Sequence, residues 1–172
     1  MQGRFKNFLQ HRRARFVLEI ILLLFLVLAI KTWLERDMVE GMAPPLTGSL
    51  SNGQAFELNS LRGKPVLVHF WASWCPICKL EQDNIEAISR DHSVITIAMQ
   101  SGQRDAIQDY MAEEGLSFAV LPDEQGDITR RYGVSGVPAS FILAPDGRIV
   151  FRERGYTTEW GLRFRLWLTQ LF

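Results

Sequence analysis

The chain has 172 residues, 47% hydrophobic and 22% charged, with 19 Lys and Arg against 19 Asp and Glu. That length holds one ordinary domain and a little more, and a net charge of zero gives no sign of a nucleic-acid partner. The zero averages unlike parts, because residues 1–15 carry Arg4, Lys6, Arg12, Arg13 and Arg15 and no acid.

Directly after this basic arm comes FVLEIILLLFLVLAIKTWL, residues 16–34. As a helix it would be about 28 Å long, close to the roughly 30 Å hydrocarbon core of a bilayer. Glu19 and Lys31 lie near its ends, where polar heads reach the interface. A cleaved signal peptide has the same basic-then-apolar order, but it needs small residues after the apolar run. The chain reads KTWLERDMVEGMAPP there, with Trp33 placed as an interface anchor, so a retained membrane anchor is expected. The basic flank puts the N-terminus in the cytoplasm and everything from about residue 35 outside, in an oxidising compartment.

Residues 35–47 are polar, contain Gly41, Pro44 and Pro45, and read as a linker. The folded domain is expected over 48–172. LSNGQAFEL suggests a hairpin turning at Asn52 and Gly53, and VLVHFW, 66–71, a buried strand. A helix follows over 76–90, with Pro76 at its first position and Ile77, Leu80, Ile85 and Ile88 recurring on one face. Next come a strand at 94–99, a helix at 103–114, a strand at 117–122 and a short helix ending at Gly133. ASFILA and RIVFRER flank the turn Pro145-Asp146-Gly147. The last segment places Trp160, Phe164, Trp167, Leu168 and Leu171 on one helical face, expected to pack on the sheet. The order implies an α/β fold whose mixed sheet is covered on both faces.

The only two cysteines, Cys75 and Cys78, lie in WASWCPICKLEQDN. A helix starting at Pro76 makes Cys75 its N-cap and sets Cys78 one turn inside. Unpaired N–H groups and the helix dipole favour a thiolate there, which makes Cys75 the nucleophile and Cys78 the resolving thiol. Pro76 and Ile77, between them, help set the reduction potential. Zinc lacks companion ligands: His11 is in the basic arm, His92 in a polar loop and His69 in a strand. Copper(I) needs fewer ligands, which keeps open a metal-handling reading on Cys75, Cys78 and Met99. A purely structural disulfide would close too small a loop to stabilise much.

VLVHFWASWCPIC followed by YGVSGVPASFIL resembles thioredoxin: a strand, the W-C-x-x-C turn opening with Trp74, a helix, and a Val-Pro loop before the last hairpin. The N-terminal anchor and the extra helix and strand at about 103–122 are similar to the membrane-anchored TlpA/ResA-like branch, and within it to ScsD-type proteins of suppressor-of-copper-sensitivity systems. The resemblance implies a thioredoxin-like fold over 48–172 and a thiol-disulfide oxidoreductase without cofactor or resident metal, held in a bacterial inner membrane with its catalytic domain periplasmic. It implies disulfide-containing protein substrates and a transmembrane DsbD-like or ScsB-like electron donor. It also implies that Pro138 is cis, that Val137 and Pro138 face the cysteines, and that Val137 pairs with an incoming substrate segment. Glu81 matches an acidic position near the disulfide in ResA-like proteins; an ordinary exposed helix carboxylate is the alternative. His69 stands where thioredoxin has a buried aspartate, so a role in deprotonating Cys78 is a hypothesis with the opposite charge logic. Direction of electron flow stays open.

Overall fold

A computed structural model describes the backbone of residues 2–171 and the side chains of residues 15–171. The chain divides into two units, residues 1–36 and 37–172.

The first unit is helix α1, Gln2–Glu35. Its apolar stretch, Arg15–Glu35, is 21 residues long with a mean hydropathy of 2.5, and none of it is buried by protein. At about 1.5 Å per residue it reaches about 31 Å, enough for a bilayer core. Phe16, Leu22, Leu24, Phe25 and Leu28 are all more than half exposed, so apolar side chains point outward all round rather than along one stripe.

The second unit begins at once. Of the expected linker, 35–47, residues 37–47 are packed into the domain: Met38 and Leu46 are buried. Val39 N–H donates to the Tyr132 carbonyl (3.1 Å), Ala43 N–H to the Gly147 carbonyl (3.1 Å), and Ile149 N–H to the Gly41 carbonyl (2.8 Å). The Tyr132 hydroxyl donates to the Pro44 carbonyl (2.7 Å). The prolines hold this segment extended, and its few apolar residues cover a sheet face that would otherwise meet water. Gly133 has a φ of +67°, and a Cβ there would overlap the Asp37 carbonyl. Gly133→Ala is therefore expected to destabilise this unit by about 2–4 kcal/mol, combining left-handed strain with a backbone clash. Urea unfolding of the full chain, followed by tryptophan fluorescence, reads the shift in midpoint.

Strands β1 (Thr47–Ser49) and β2 (Ala55–Glu57) pair antiparallel around the Asn52-Gly53 turn, with Gly48 opposite Phe56. The main sheet has five strands in the order β5-β4-β3-β6-β7. Its members are β3 (Val66–Trp71), β4 (Ser93–Met99), β5 (Val120–Asp123), β6 (Ala139–Leu143) and β7 (Ile149–Arg154). β3, β4 and β5 run parallel, β6 pairs antiparallel with β3, and β7 pairs antiparallel with β6. All six residues of β3 are buried, as its sequence, apolar except for His69, requires for a central strand covered on both faces.

Helices α2 (Pro76–Ser89), α3 (Arg104–Glu113) and α5 (Glu159–Thr169) cover one face, around Leu67, Trp71, Ile85, Ile107 and Leu166. The N-terminal segment and the short helix α4 (Asp127–Arg131) cover the other, around Met38, Phe70, Tyr132 and Phe141. Parts of two apolar faces expected inside lie outside. In α2 the buried residues are Cys78, Glu81, Ile85, Glu86 and Ile88, while Ile77 and Leu80 are exposed. In α5 Leu162, Leu166 and Thr169 face the sheet, and Trp160, Phe164, Trp167 and Leu171 face solvent.

The rotation of α5 has an identifiable cause. The helix carries apolar residues on two sides, and only one can meet the sheet. Arg163 on one flank pairs with Asp91 (2.7 Å) and Arg165 on the other with Glu153 (2.8 Å), which pins Leu162 and Leu166 inward. In α2 a cap decides: Cys75 at the N-cap fixes the helix start, so Cys78 and the residues on its face turn inward.

Candidate active site

The chain leaves β3 at Trp71, turns through Ala72–Trp74 and enters α2 with Cys75 as N-cap. Cys75 has extended dihedrals (φ −93°, ψ 109°), and its Sγ accepts a hydrogen bond from the Cys78 N–H at 3.2 Å. One of the helix's orphan donors is thus aimed at the first sulfur, an arrangement that favours its thiolate once the pair is reduced. The two cysteines form a disulfide with Cα atoms 5.3 Å apart, inside the usual range of about 4.4–6.8 Å. The Val137–Pro138 bond is cis. It places the Val137 carbonyl oxygen 3.7 Å from Cys75 Sγ, so the Val-Pro loop does face the cysteines. Cys75 and Cys78 are themselves covered (6% and 3% exposed), whereas Trp74 and Ile77 beside them are open to solvent.

His69 and Glu81 come to the same side of the sheet. His69 shares the β3 face of Leu67 and Trp71, which pack in the core layer that holds both cysteines. It is buried with Nδ1 2.9 Å from Ser140 Oγ, and burial pushes its pKa down to about 3, so the ring is neutral. Glu81, one helical turn past Cys78, is fully buried rather than an exposed helix carboxylate. Its Oε1 accepts from the Thr157 N–H (3.2 Å), and among the described residues its Oε2 has no hydrogen-bond partner. Burial pushes its carboxyl up to about 8, against the smaller opposing pull of the Thr157 hydrogen bond. Burial with one oxygen lacking a partner favours the protonated form of this carboxyl near neutral pH.

Several supporting residues carry no sequence signal. Trp74 Nε1 donates to the Gln100 carbonyl (3.1 Å), and the Ser73 N–H donates to Ser101 Oγ (3.0 Å). Ser101 Oγ in turn donates to the Met99 carbonyl (3.0 Å). The end of β4 thereby holds the approach to the cysteines, and Gln100 takes a positive φ of 46° there. Ser140 and Thr157, which partner His69 and Glu81, were equally invisible because they lie 71 and 76 residues away in the chain. Met99, weighed as a third copper ligand, ends β4 and is half-buried. The described residues contain no cluster of three or more His, Cys, Asp or Glu side chains suited to a metal.

A mixed sheet whose central strand delivers a CxxC disulfide to a helix N-terminus, opposite a cis-proline, defines a thioredoxin-like thiol-disulfide oxidoreductase. Comparison with known proteins agrees. The Redoxin family profile matches residues 38–162, and the chain belongs to that family. It is 31% identical to the thiol-disulfide oxidoreductase ResA of Bacillus subtilis over 121 residues, 68% of each chain. It is 26% identical over 157 residues to a thioredoxin-like protein of Haemophilus influenzae, covering 90% of this chain and 93% of that one. Among solved structures it superposes on a secreted Mycobacterium tuberculosis disulfide oxidoreductase homologous to E. coli DsbE. The TM-score is 0.62 at 28% identity, over 72% of this chain and 95% of that one. A thiol:disulfide interchange protein of the thioredoxin family from Chlorobium tepidum shares the fold, with a TM-score of 0.66 at 24% identity, over 76% and 97%.

Proposed function

We propose that this oxidoreductase is an ScsD-type protein anchored by α1 in a bacterial inner membrane, N-terminus inside, and that it reduces protein disulfides on the periplasmic side. The Cys75 thiolate attacks one sulfur of a substrate disulfide, forming the Cys75–substrate bond and releasing the other sulfur as a thiolate that takes up a proton. Cys78 then loses its proton and attacks Cys75 Sγ; the enzyme disulfide forms and the second substrate sulfur leaves. Two electrons have passed from the dithiol to the substrate. A DsbD-like or ScsB-like membrane reductase returns them. Val137 offers its backbone to the incoming segment, and Pro138 holds that backbone over Cys75. The ionised fraction of Glu81, whose carboxyl titrates near 8, takes the Cys78 proton and passes it to the released substrate thiolate, and His69, held neutral by burial on the same side of the sheet, assists that transfer.

The observation that carries the exchange reading is the cap: the Cys78 N–H is aimed at Cys75 Sγ (3.2 Å), and the Val137 carbonyl oxygen lies 3.7 Å from the same sulfur. The direction of exchange follows the reduction potential of the CPIC pair, and the reducing reading expects a value near about −270 mV rather than about −120 mV. Equilibration of the full chain with glutathione or dithiothreitol redox buffers measures it. A value near the oxidant end would reverse the direction. Tight stoichiometric copper(I) binding to the reduced pair, with no reduction of insulin disulfides, would replace the reading with the metal-handling one.

A further inference from the structure

The two apolar faces that turned outward lie side by side. Asn84 of α2 donates to the Thr157 carbonyl (3.2 Å) and the Tyr156 hydroxyl (3.4 Å). One turn on, Arg163 of α5 donates to the Ala87 carbonyl (3.2 Å). These bonds knit the α2 flank bearing Ile77, Leu80 and Asn84 to the first two turns of α5. The surface above that seam carries Ile77, Leu80, Tyr156, Trp160, Phe164 and Trp167, from 49% to 80% exposed. Phe164 and Trp167 stack with centroids 6.0 Å apart.

At about 150–250 Å² per aromatic side chain, the open fractions of the four aromatics alone come to on the order of 500 Å². The largest apolar patch on a typical monomer is about 300–600 Å² and is often functional. Nothing in the fold of this domain requires these residues outside, since Leu162, Leu166, Ile85 and Ile88 already fill the core beneath.

The reaction decides what covers this surface. A substrate sulfur must come within bonding distance of Cys75, so any polypeptide that carries it also covers Ile77, two residues along, where the stripe begins. From Cys75 to Asn84 the helix rises about 13.5 Å. An extended chain covers that distance in four residues at about 3.3 Å each, with alternate side chains on one face. Its second and fourth residues from the cysteine then fall at the levels of Leu80 and of Asn84, where Tyr156 sits.

We propose that the Ile77–Leu80–Tyr156–Trp160 surface is a docking strip for an extended substrate segment carrying apolar residues two and four places from its reactive cysteine. The proposal rests on the thiol-disulfide exchange reading of the same site and adds the substrate class. It makes selection a matter of sequence around the cystine rather than of the disulfide alone.

The test uses two disulfide-linked peptides, identical except that the positions two and four places on either side of the cysteine are Leu and Phe in one and Ser in the other. The pre-reduced full chain in nanodiscs is expected to reduce the apolar peptide with at least fivefold higher kcat/KM, mostly through KM. In Leu80→Ser/Trp160→Ser that preference disappears, and the rate on the Ser peptide stays at its wild-type value. Equal rates on both peptides in wild type, a preference that survives in the variant, or an equal loss on both peptides overturns the proposal. If equal rates accompany a variant that binds lipid vesicles less or self-associates less, the face belongs to the bilayer or to a second copy. Reduction of neither peptide by wild type overturns the exchange reading itself, and the strip with it.

Discussion

Cys75→Ser is expected to abolish catalysed reduction of insulin disulfides, a loss of at least about 10³-fold, because the remaining thiol, Cys78, lies one turn inside α2 and does not occupy its N-cap. Cys78→Ser should behave differently. Its Cys75 still sits at the N-cap with a backbone N–H aimed at its sulfur, so the first attack proceeds while resolution cannot. The variant should accumulate a mixed disulfide with substrate, visible as a mass adduct and released by dithiothreitol. Trapping by Cys75→Ser instead would exchange the roles of the two cysteines. The asymmetry comes from the cap: residue 75 keeps extended dihedrals outside the helix, whereas Cys78 is packed on the inward face beside Glu81.

The second large effect concerns pH. Glu81 has a folded pKa near 8 against an ordinary carboxyl value of 4.5, because burial penalises its charged form. Between those values the folded chain keeps a proton that the unfolded chain has released. The contribution of Glu81 to stability is therefore full below about pH 4.5 and is lost as pH rises toward 8, by about 1.4 kcal/mol per pH unit at most, then levels off. The disulfide form isolates this effect, since neither cysteine titrates in it. Urea midpoints of the oxidised full chain from pH 5 to 9 should decline for wild type and stay flat for Glu81→Gln over the same window. Parallel profiles would mean that Glu81 is not the group responsible. His69 supplies the contrast: with its pKa near 3 it stays neutral throughout, so His69→Ala should leave the pH slope intact. If His69 assists transfer of the Cys78 proton, the same substitution slows resolution of the mixed disulfide by about tenfold or more. An unchanged resolution rate across pH 6–8 would remove it from the mechanism.

These two groups show how unevenly the site could be read beforehand. The cysteines, the proline at the helix start and the Val-Pro loop are local patterns, and the structure has Cys75 at the N-cap, Pro76 opening α2 and the Val137 carbonyl 3.7 Å from Cys75 Sγ. Glu81 left open two opposite environments, exposed or buried. Only the rotation of α2, set by the N-cap and by packing of Ile85 and Ile88, puts its carboxyl inside. Its partner Thr157 and the His69 partner Ser140 come from the far half of the chain. Segment 37–47 misleads for a related reason: its composition is that of a linker, and its burial depends on a sheet face formed by residues 66–154.

What the sequence determined by itself were the features written in short range. These are the long apolar stretch of α1, the order of strands and helices, and a helix start that primes Cys75, because periodicity, caps and turns act within a few residues. What only the tertiary structure decided was which way each helix faces. α2 and α5 each carry more apolar residues than one buried face can hold, and caps, ion pairs and the sheet beneath select among them. That choice buries Glu81 one turn past Cys78 and leaves Leu80 and Trp160 in the open, so the proposed proton chemistry and the proposed docking strip both depend on long-range packing that no local pattern encodes.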